Sequence, residues 1–488
     1  MCPAVAGPPG LLRGVAGGEA VYDVVIVGAG PAGIFAALEL LERAPDLRVL
    51  MLEKGPDLER RVCPMQERRV ACNRCDPCSV VSGWGGAGAF SDGKLTLTAD
   101  FGGHLDRYIG RQQTEELIEY VDQIYLRFGA TPVAYGTDPE TVRRITRQAA
   151  TAGLSFIPAK IRHLGTDNCP RILARMRQHL EGRVEVRTRA PAAGVMAEDG
   201  RVTGVRMANG EGIRARAVIL APGREGAAWM AAQAAELGLR LAANPVDIGV
   251  RVEVPAVIME PLTEGVYESK LVYYTESFDD QVRTFCVCPY GEVVMENNGG
   301  LITVNGHSYQ SRRTEYTNFA LLVSKSFTEP FKEPITYGRY VASLANLLGG
   351  TVLVQRLGDL LSGRRSTESR LVKGMVRPTL PEATPGDLSL VLPYRHLIDI
   401  LEMLEALDKV APGVYSRHTL LYGVEVKFYS SRVEVDRNLQ TRVRGLFVAG
   451  DGAGITRGLA QASASGVFVA RAVARQLEGE GGDGEVPA

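Results

Sequence analysis

The chain has 488 residues, 45% hydrophobic and 23% charged, enough to bury a sizeable core and to divide into about two or three domains. Its 55 Lys and Arg balance 56 Asp and Glu for a net charge of -1, so no global field draws it to nucleic acid, and no nucleic-acid partner is expected. No apolar run approaches the ~18 residues of a membrane span, and 8 cysteines are too sparse for a disulfide scaffold, which makes the reducing cytoplasm the expected compartment.

Residues 1–21 are rich in Ala, Gly and Pro without a basic start or a sustained apolar stretch, and read as a frayed tail, not a signal peptide. The apolar run Val24 to Val27 then reads as a strand buried on both faces. It turns through Gly28-Ala29-Gly30-Pro31-Ala32-Gly33. In such a turn Gly28 allows the tight bend, Gly30 lets the backbone approach a pyrophosphate, and Gly33 lets the following helix pack close to the strand. Pro31 suits a first helical turn, whose free N–H groups accept phosphate charge. A second apolar strand, "LRVLMLEKG", ends in Glu53 and Lys54. Glu53 falls ~20 residues past the last glycine, where an acid binds a ribose hydroxyl.

The next segment, "CNRCDPCSVVSGWGGAGAFSDG", couples cysteines to a glycine-rich loop. Cys72, Cys75 and Cys78 have the spacing of the first three ligands of an iron–sulfur run, with Cys63 upstream as the candidate fourth. Four thiolates would equally suit zinc, a Cys72/Cys75 dithiol beside Arg74 could cycle with a disulfide, and small buried cysteines could simply shape the loop. "GWGGAGAF" has so little side-chain bulk that its backbone can lie close to a flat ligand.

A helical region follows, "TEELIEYVDQIYLRFGA" and then "DPETVRRITRQAATAG" with Asp138 as N-cap and Pro139 in the first turn. Residues 183–226 alternate in short antiparallel strands with turns at Asp199-Gly200 and Asn209-Gly210, and the last strand, Ala217 to Ala221, ends in Pro222-Gly223-Arg224. From 227 to 421 a substrate or cap domain is expected, first β ("VDIGVRVEV", "KLVYYTES", "RTFCVCP", "EVVMEN"), then helical, with Leu397, Leu401, Leu404 and Leu407 at core spacing. Cys286 and Cys288 form a separate C-x-C. His307 in "NGHS" either packs at the surface or faces substrate, and Lys427 either lies exposed or approaches a bound cofactor or a substrate carboxylate.

Near the C-terminus a strand from Leu446 to Ala449 leads into Gly450-Asp451-Gly452 and a helix from about Leu459 to Leu477. This resembles the second FAD signature of the glutathione-reductase-like flavoproteins, in which the aspartate holds the ribityl chain and the helix start, here Arg457-Gly458-Leu459, faces the flavin pyrimidine ring. A helix N-terminus there offers positive potential to a reduced flavin. With "VGAGPAG", "GWGGAGAFSDGKL", "VDIGVRVE", "RTFCVCPYGEVV", "NGHS", "TNFALLV" and "VAGDGAGITRG", the chain resembles the bacterial family of uncharacterised FAD-dependent dehydrogenases from about Tyr22 to about Leu477.

The resemblance implies that Gly85, Gly86 and Gly88 reach the isoalloxazine, with Asp92 and Lys94 as polar neighbours, that backbone near Ala192 meets adenine, and that Ala221, Gly223 and Arg224 lie beside the cofactor. Only one full dinucleotide fingerprint is present, so one FAD is expected and NAD(P)H would bind only transiently over it. No C-x₄-C follows the first strand as in glutathione reductase.

The expected fold is α/β: a Rossmann-like FAD domain with parallel sheet and β-meander (22–226 and 422–477), an inserted α+β substrate or cap domain (227–421), and a disordered tail (478–488). The expected function is a dehydrogenase passing two electrons from a small organic substrate to FAD, with the partner that accepts or supplies electrons unidentified. His307, Lys427, Asp92 and Lys94 are the candidate catalytic residues. Alternatives are an NAD(P)H-fed reductase or monooxygenase, and a non-catalytic electron-transfer or redox-sensing module using Cys72, Cys75 and Cys78.

Overall fold

The computed structural model describes residues 21–482 except 65–66, 68–72, 74, 310–311, 326 and 328–332. Strand β1 (Tyr22–Val27) runs parallel to β2 (Val49–Glu53), pairing Val24 with Val49 and Val27 with Leu52, and α1 (Pro31–Arg43) crosses between them. Three short strands follow, β3 (Lys94–Thr96), β4 (Ser155–Ile157) and β5 (Ile161–His163), with helices α2 (Arg111–Arg127) and α3 (Pro139–Thr151) between β3 and β4 and α4 (Cys169–Leu180) after β5. Asp138 caps α3 by accepting from the Glu140 and Thr141 amides, which satisfies two N–H groups that the helix cannot.

β6 (Glu185–Thr188) extends the first sheet parallel to β2, and β7 (Ala192–Glu198), β8 (Arg201–Met207) and β9 (Gly212–Leu220) form the expected meander. Asp199 and Gly200 both take positive φ, 48° and 73°, as a tight hairpin turn needs. β9 serves two sheets in one strand: Gly212 to Arg214 pair with β8, and further along it lies parallel to β1.

The second layer is built mainly from residues 246–427, with β4 at the edge of its sheet. After β10 (Leu241–Ala242) come β11 (Val246–Pro255), β12 (Lys270–Tyr274), β13 (Gln281–Cys288), the hairpin β14 (Glu292–Asn298) and β15 (Leu301–His307), and β16 (Tyr316–Lys325). Helix α5 (Pro334–Gly349), β17 (Leu353–Arg356), β18 (Thr384–Pro385), α6 (Tyr394–Asp408) and β19 (Leu420–Lys427) complete it. The strand order is β18-β17-β19-β11-β16-β13-β12-β4.

β11 reads V-D-I-G-V-R-V-E-V, and its period of two sorts the residues by face. Val246, Ile248, Val250, Val252 and Val254 enter a core with Val341, Ala345, Met403 and Leu407 from α5 and α6. Asp247, Arg251 and Glu253 point the other way and are buried as well. The second sheet therefore has an apolar face under helices and a buried polar face on its other side.

Two expected boundaries shift. Residue 422 falls inside β19, which is buried throughout between β11 and β17, so the chain leaves the second sheet only after Lys427. The final helix, α7 (Leu459–Gly482), continues past Leu477 to Gly482. Before it, β20 (Arg432–Val433) pairs with β10, and β21 (Leu446–Val448) joins the first sheet parallel to β9. α7 packs along α1 so closely that a Cβ at Gly466 would sit 2.0 Å from the Ala32 carbonyl oxygen.

Candidate active site

The ends of β1, β9 and β21 meet the N-termini of α1 and α7. Gly28 has φ +106°, and a Cβ there would lie 2.2 Å from the Ala221 carbonyl oxygen; one at Gly33 would lie 2.0 Å from the Gly28 carbonyl oxygen. Both are glycines because protein fills the space. Gly30, Gly223 and Gly458 differ. A Cβ on Gly223 or Gly458 would meet nothing within 4 Å, and one on Gly30 only the Gly86 Cα at 4.0 Å. Gly30 caps α1 with no side-chain bond to its first amides, so these three positions border a groove left open at helix starts suited to phosphate.

Glu53 and Arg61 shape the rest of this groove. The Glu53 carboxylate, 6% exposed, accepts from Gly55 N at 2.8 Å and Gly83 N at 2.9 Å on Oε1, and from Ala29 N at 2.9 Å on Oε2. Oε1 is thus filled, and Oε2 keeps a lone pair for a ribose hydroxyl. Arg61, 5% exposed, donates to the carbonyls of Ser79, Val80, Trp84 and Gly86 at 2.6–2.9 Å. Burial pulls its guanidinium down to about 10, with Glu53 acting against that. Glu53 at the end of β2 and Arg61 just beyond it therefore both pin the glycine loop.

The loop then leads into Asp92 and Lys94, which meet the polar face of the second sheet. Lys94 Nζ lies 3.0 Å from Asp92, 3.4 Å from Glu268 and 2.5 Å from the Val287 carbonyl oxygen. Burial alone would raise Asp92, but Lys94, His163 and His307 hold it below the usual carboxylate range; burial would lower Lys94, and Asp92 with the neighbouring sulfurs raises it instead. Beside them Arg251, fully buried, binds Glu425 with two nitrogens at 2.8 and 3.1 Å and also donates to Cys286 O, Asn305 and Asn318. Lys427 shares Glu425 at 3.0 Å. Asp247 gathers Arg283, Ser324 and Tyr429, and the Arg457 guanidinium stacks 3.9 Å over the Tyr429 ring.

Lys270 breaks this pattern of paired charges. It opens β12, is 7% exposed, and its Nζ sits 3.9 Å over the Phe101 ring. Among the described residues no carboxylate pairs with it. Burial, then Arg283, pull it down to about 7. Phe101 in turn is tied to α7, since Gln461 donates to its carbonyl at 3.3 Å.

Residues 245–428 match the family model described as FAD-dependent protein, C-terminal domain-like, and residues 379–481 that of glucose inhibited division protein A. The chain is FAD-dependent. Residues 23–73 also match the lycopene cyclase protein model. It is 27% identical over 480 residues to an uncharacterized protein of Clostridium beijerinckii, covering 93% of this chain and 81% of that one. Among solved structures it is similar to a geranylgeranyl bacteriochlorophyll reductase-like protein from Thermoplasma acidophilum (15% identity, TM-score 0.41, 95% of this chain and 80% of that one). Another is glycine oxidase from Geobacillus kaustophilus (15% identity, TM-score 0.40, 93% and 95%). A third is formate oxidase from Aspergillus oryzae (12% identity, TM-score 0.44, 95% and 100%).

The open groove fits FAD. The amides after Gly30 and Pro31, at Ala32 and Gly33, would take the pyrophosphate, Glu53 Oε2 a ribose, and Asp451 with Gly458 and Leu459 the flavin end. Asp451 already accepts from Thr456 at 2.7 Å and lies 3.7 Å from Arg224, whose side chain is 44% exposed. Gly450 donates to Ser465, Ala221 to the Val27 carbonyl, Lys54 pairs with Glu225 at 3.6 Å, and Ala192 opens β7.

One expectation changes at these residues. Lys427 is buried, not exposed, because β19 lies inside the sheet and Glu425 pairs with it. A Cβ on Gly85 would meet Leu173 at 2.4 Å, on Gly86 the Gly30 Cα at 3.1 Å, and on Gly88 Leu459 at 3.0 Å, so these glycines let the loop pack on its neighbours. His307 ends β15 half-buried, with burial lowering it and Asp92 and Glu296 opposing. Cys72 lies outside the described residues, and Cys63, Cys75 and Cys78 do not converge as a ligand group among those described. Arg61 and Lys270 lie in no motif, and Arg251 in "VDIGVRVE" and the Cys286/Cys288 C-x-C had no role assigned; their contacts in the fold reveal them. No helix among the described residues is long and apolar enough to cross a membrane.

Proposed function

We propose that the protein is an FAD-dependent oxidoreductase, a dehydrogenase that oxidises a small organic substrate between the glycine loop and the polar face of the second sheet. The observation that carries this reading is Lys270: a buried amine, unpaired with any carboxylate among the described residues, tied through Phe101 to the start of α7. Removing a hydride from carbon bound to oxygen or nitrogen leaves one proton to be taken up, and an amine near neutrality is matched to that task. Bound FAD supplies the two-electron acceptor.

The remaining charges suit orientation. Arg457 has a buried Nε without a hydrogen-bond partner, and Arg224 is partly exposed beside Asp451, so an acidic group on the substrate would find donors on the cofactor side while its reacting carbon faces Lys270. Lys94 and Lys427 are fully engaged by Asp92 and Glu425 and hold the face in shape.

Anaerobic mixing of the FAD-loaded protein with alcohols, amines, hydroxy acids and amino acids tests this. Loss of the oxidised-flavin absorbance band with at least one of them is expected. Bleaching by NAD(P)H and by none of these compounds would replace the dehydrogenase with a reductase.

A further inference from the structure

The C-x-C at the end of β13 belongs to neither the cradle nor the proton path. In a regular strand Cys286 and Cys288 share a face, but that face would be the apolar one, because Phe285 already points to the polar side opposite Ala320. A bulge changes the phase: pairing jumps from Phe285–Ala320 to Cys288–Asn318, and Cys286 takes φ +46°. The inserted residue turns both cysteines to the polar face and sends Val287 into the core. Positive φ is costly for a residue with a Cβ. It is held by Arg251, which donates to the Cys286 carbonyl at 2.8 Å, and by Glu268, which accepts from its amide at 3.1 Å.

The two sulfurs stand 3.9 Å apart, in contact but unbonded. Lys94 Nζ lies 3.6 Å from one and 3.8 Å from the other. Asp92 and both sulfurs converge within 4.8 Å, and the cation among them is this ammonium. The thiols are unequal: Cys286 is partly exposed and Cys288 fully buried. The hydrogen bond from Cys288 lowers Cys286 to about 7, with Lys94 assisting against burial, whereas burial raises Cys288 far above the ordinary thiol range. An accessible thiolate beside a protonated, buried partner is the arrangement that opens a mixed disulfide from within.

We propose that Cys286 and Cys288 form a redox-active dithiol that reduces small-molecule disulfides. The Cys286 thiolate attacks one sulfur of the substrate, forming a mixed disulfide and releasing one thiolate. Cys288 then attacks the Cys286 sulfur, forming the Cys286–Cys288 bond and releasing the second thiolate, which takes up the Cys288 proton. Two electrons pass from the pair to the disulfide. Closing the pair requires the sulfurs to approach from 3.9 Å to about 2 Å.

The test uses the FAD-loaded protein, glutathione disulfide as the probe, and alkylation followed by peptide mass spectrometry. In the wild type the peptide spanning both residues is expected to lose two hydrogens and resist alkylation, and dithiothreitol restores it. Cys288→Ser is expected to stop at a glutathione adduct on Cys286, and Cys286→Ser to leave Cys288 unmodified. The proposal is overturned if both wild-type thiols stay alkylatable, if the wild type keeps the glutathione adduct as Cys288→Ser does, or if stoichiometric zinc shields both thiols.

Discussion

Arg61 offers a flavin no chemistry, yet it ties the glycine loop to four carbonyls while burying its charge. Removing such a partner leaves polar groups unsatisfied, so Arg61→Met should cost about 2–4 kcal/mol. Urea unfolding and an FAD titration check this: lower stability together with weaker FAD binding is expected, and unchanged FAD affinity would mean that the loop is held otherwise. Nothing in "GPDLERRVCP" distinguishes Arg61 from Arg60; only the folded loop does. Glu53 was legible because its distance from Gly33 is fixed by one helix and one strand. What was not legible is that it also accepts from the Gly83 amide, thirty positions along.

Elements separate two kinds of glycine. Gly33 is small because α1 must touch β1, and Gly30 faces the groove. Gly33→Ala should therefore fail to pack, whereas Gly30→Ala should cost the apoprotein at most about 1 kcal/mol at its N-cap while weakening FAD binding at least tenfold. Thermal unfolding of apoprotein and fluorescence titration with FAD read the two effects apart, and equal FAD affinity in Gly30→Ala would remove the groove from the cofactor site. The first sheet could be read from sequence because its signals are local: an apolar run, a glycine turn, a helix. In β11 the alternation was equally plain, but alternating charges next to valines describe a solvated strand as well as this one. Burial of Arg251 and Glu425 at 0% is a property of the partner layer and has no local signal. The bulge at Cys286 is similarly hidden, since C-V-C gives no sign of which face it will take.

At the scale of the molecule, the account rests on two layers facing each other, one shaped by backbone for a dinucleotide and one lined with buried charge. The cradle comes from both ends of the chain and the polar face from strands spread over residues 246–427, so no single stretch contains the site. Lys270 joins the layers and carries the central claim. The most direct measurement is the pH dependence of anaerobic flavin bleaching by the substrate found in the screen, in wild type and in Lys270→Met. Because Lys270 must be neutral to accept a proton and is held near 7, the wild-type rate should be low in acid, rise as pH passes upward through about 7 and then level off. Lys270→Met should lose about 10²–10⁴ of the rate together with that rising limb. A variant that keeps the same inflection at a comparable rate would contradict the account.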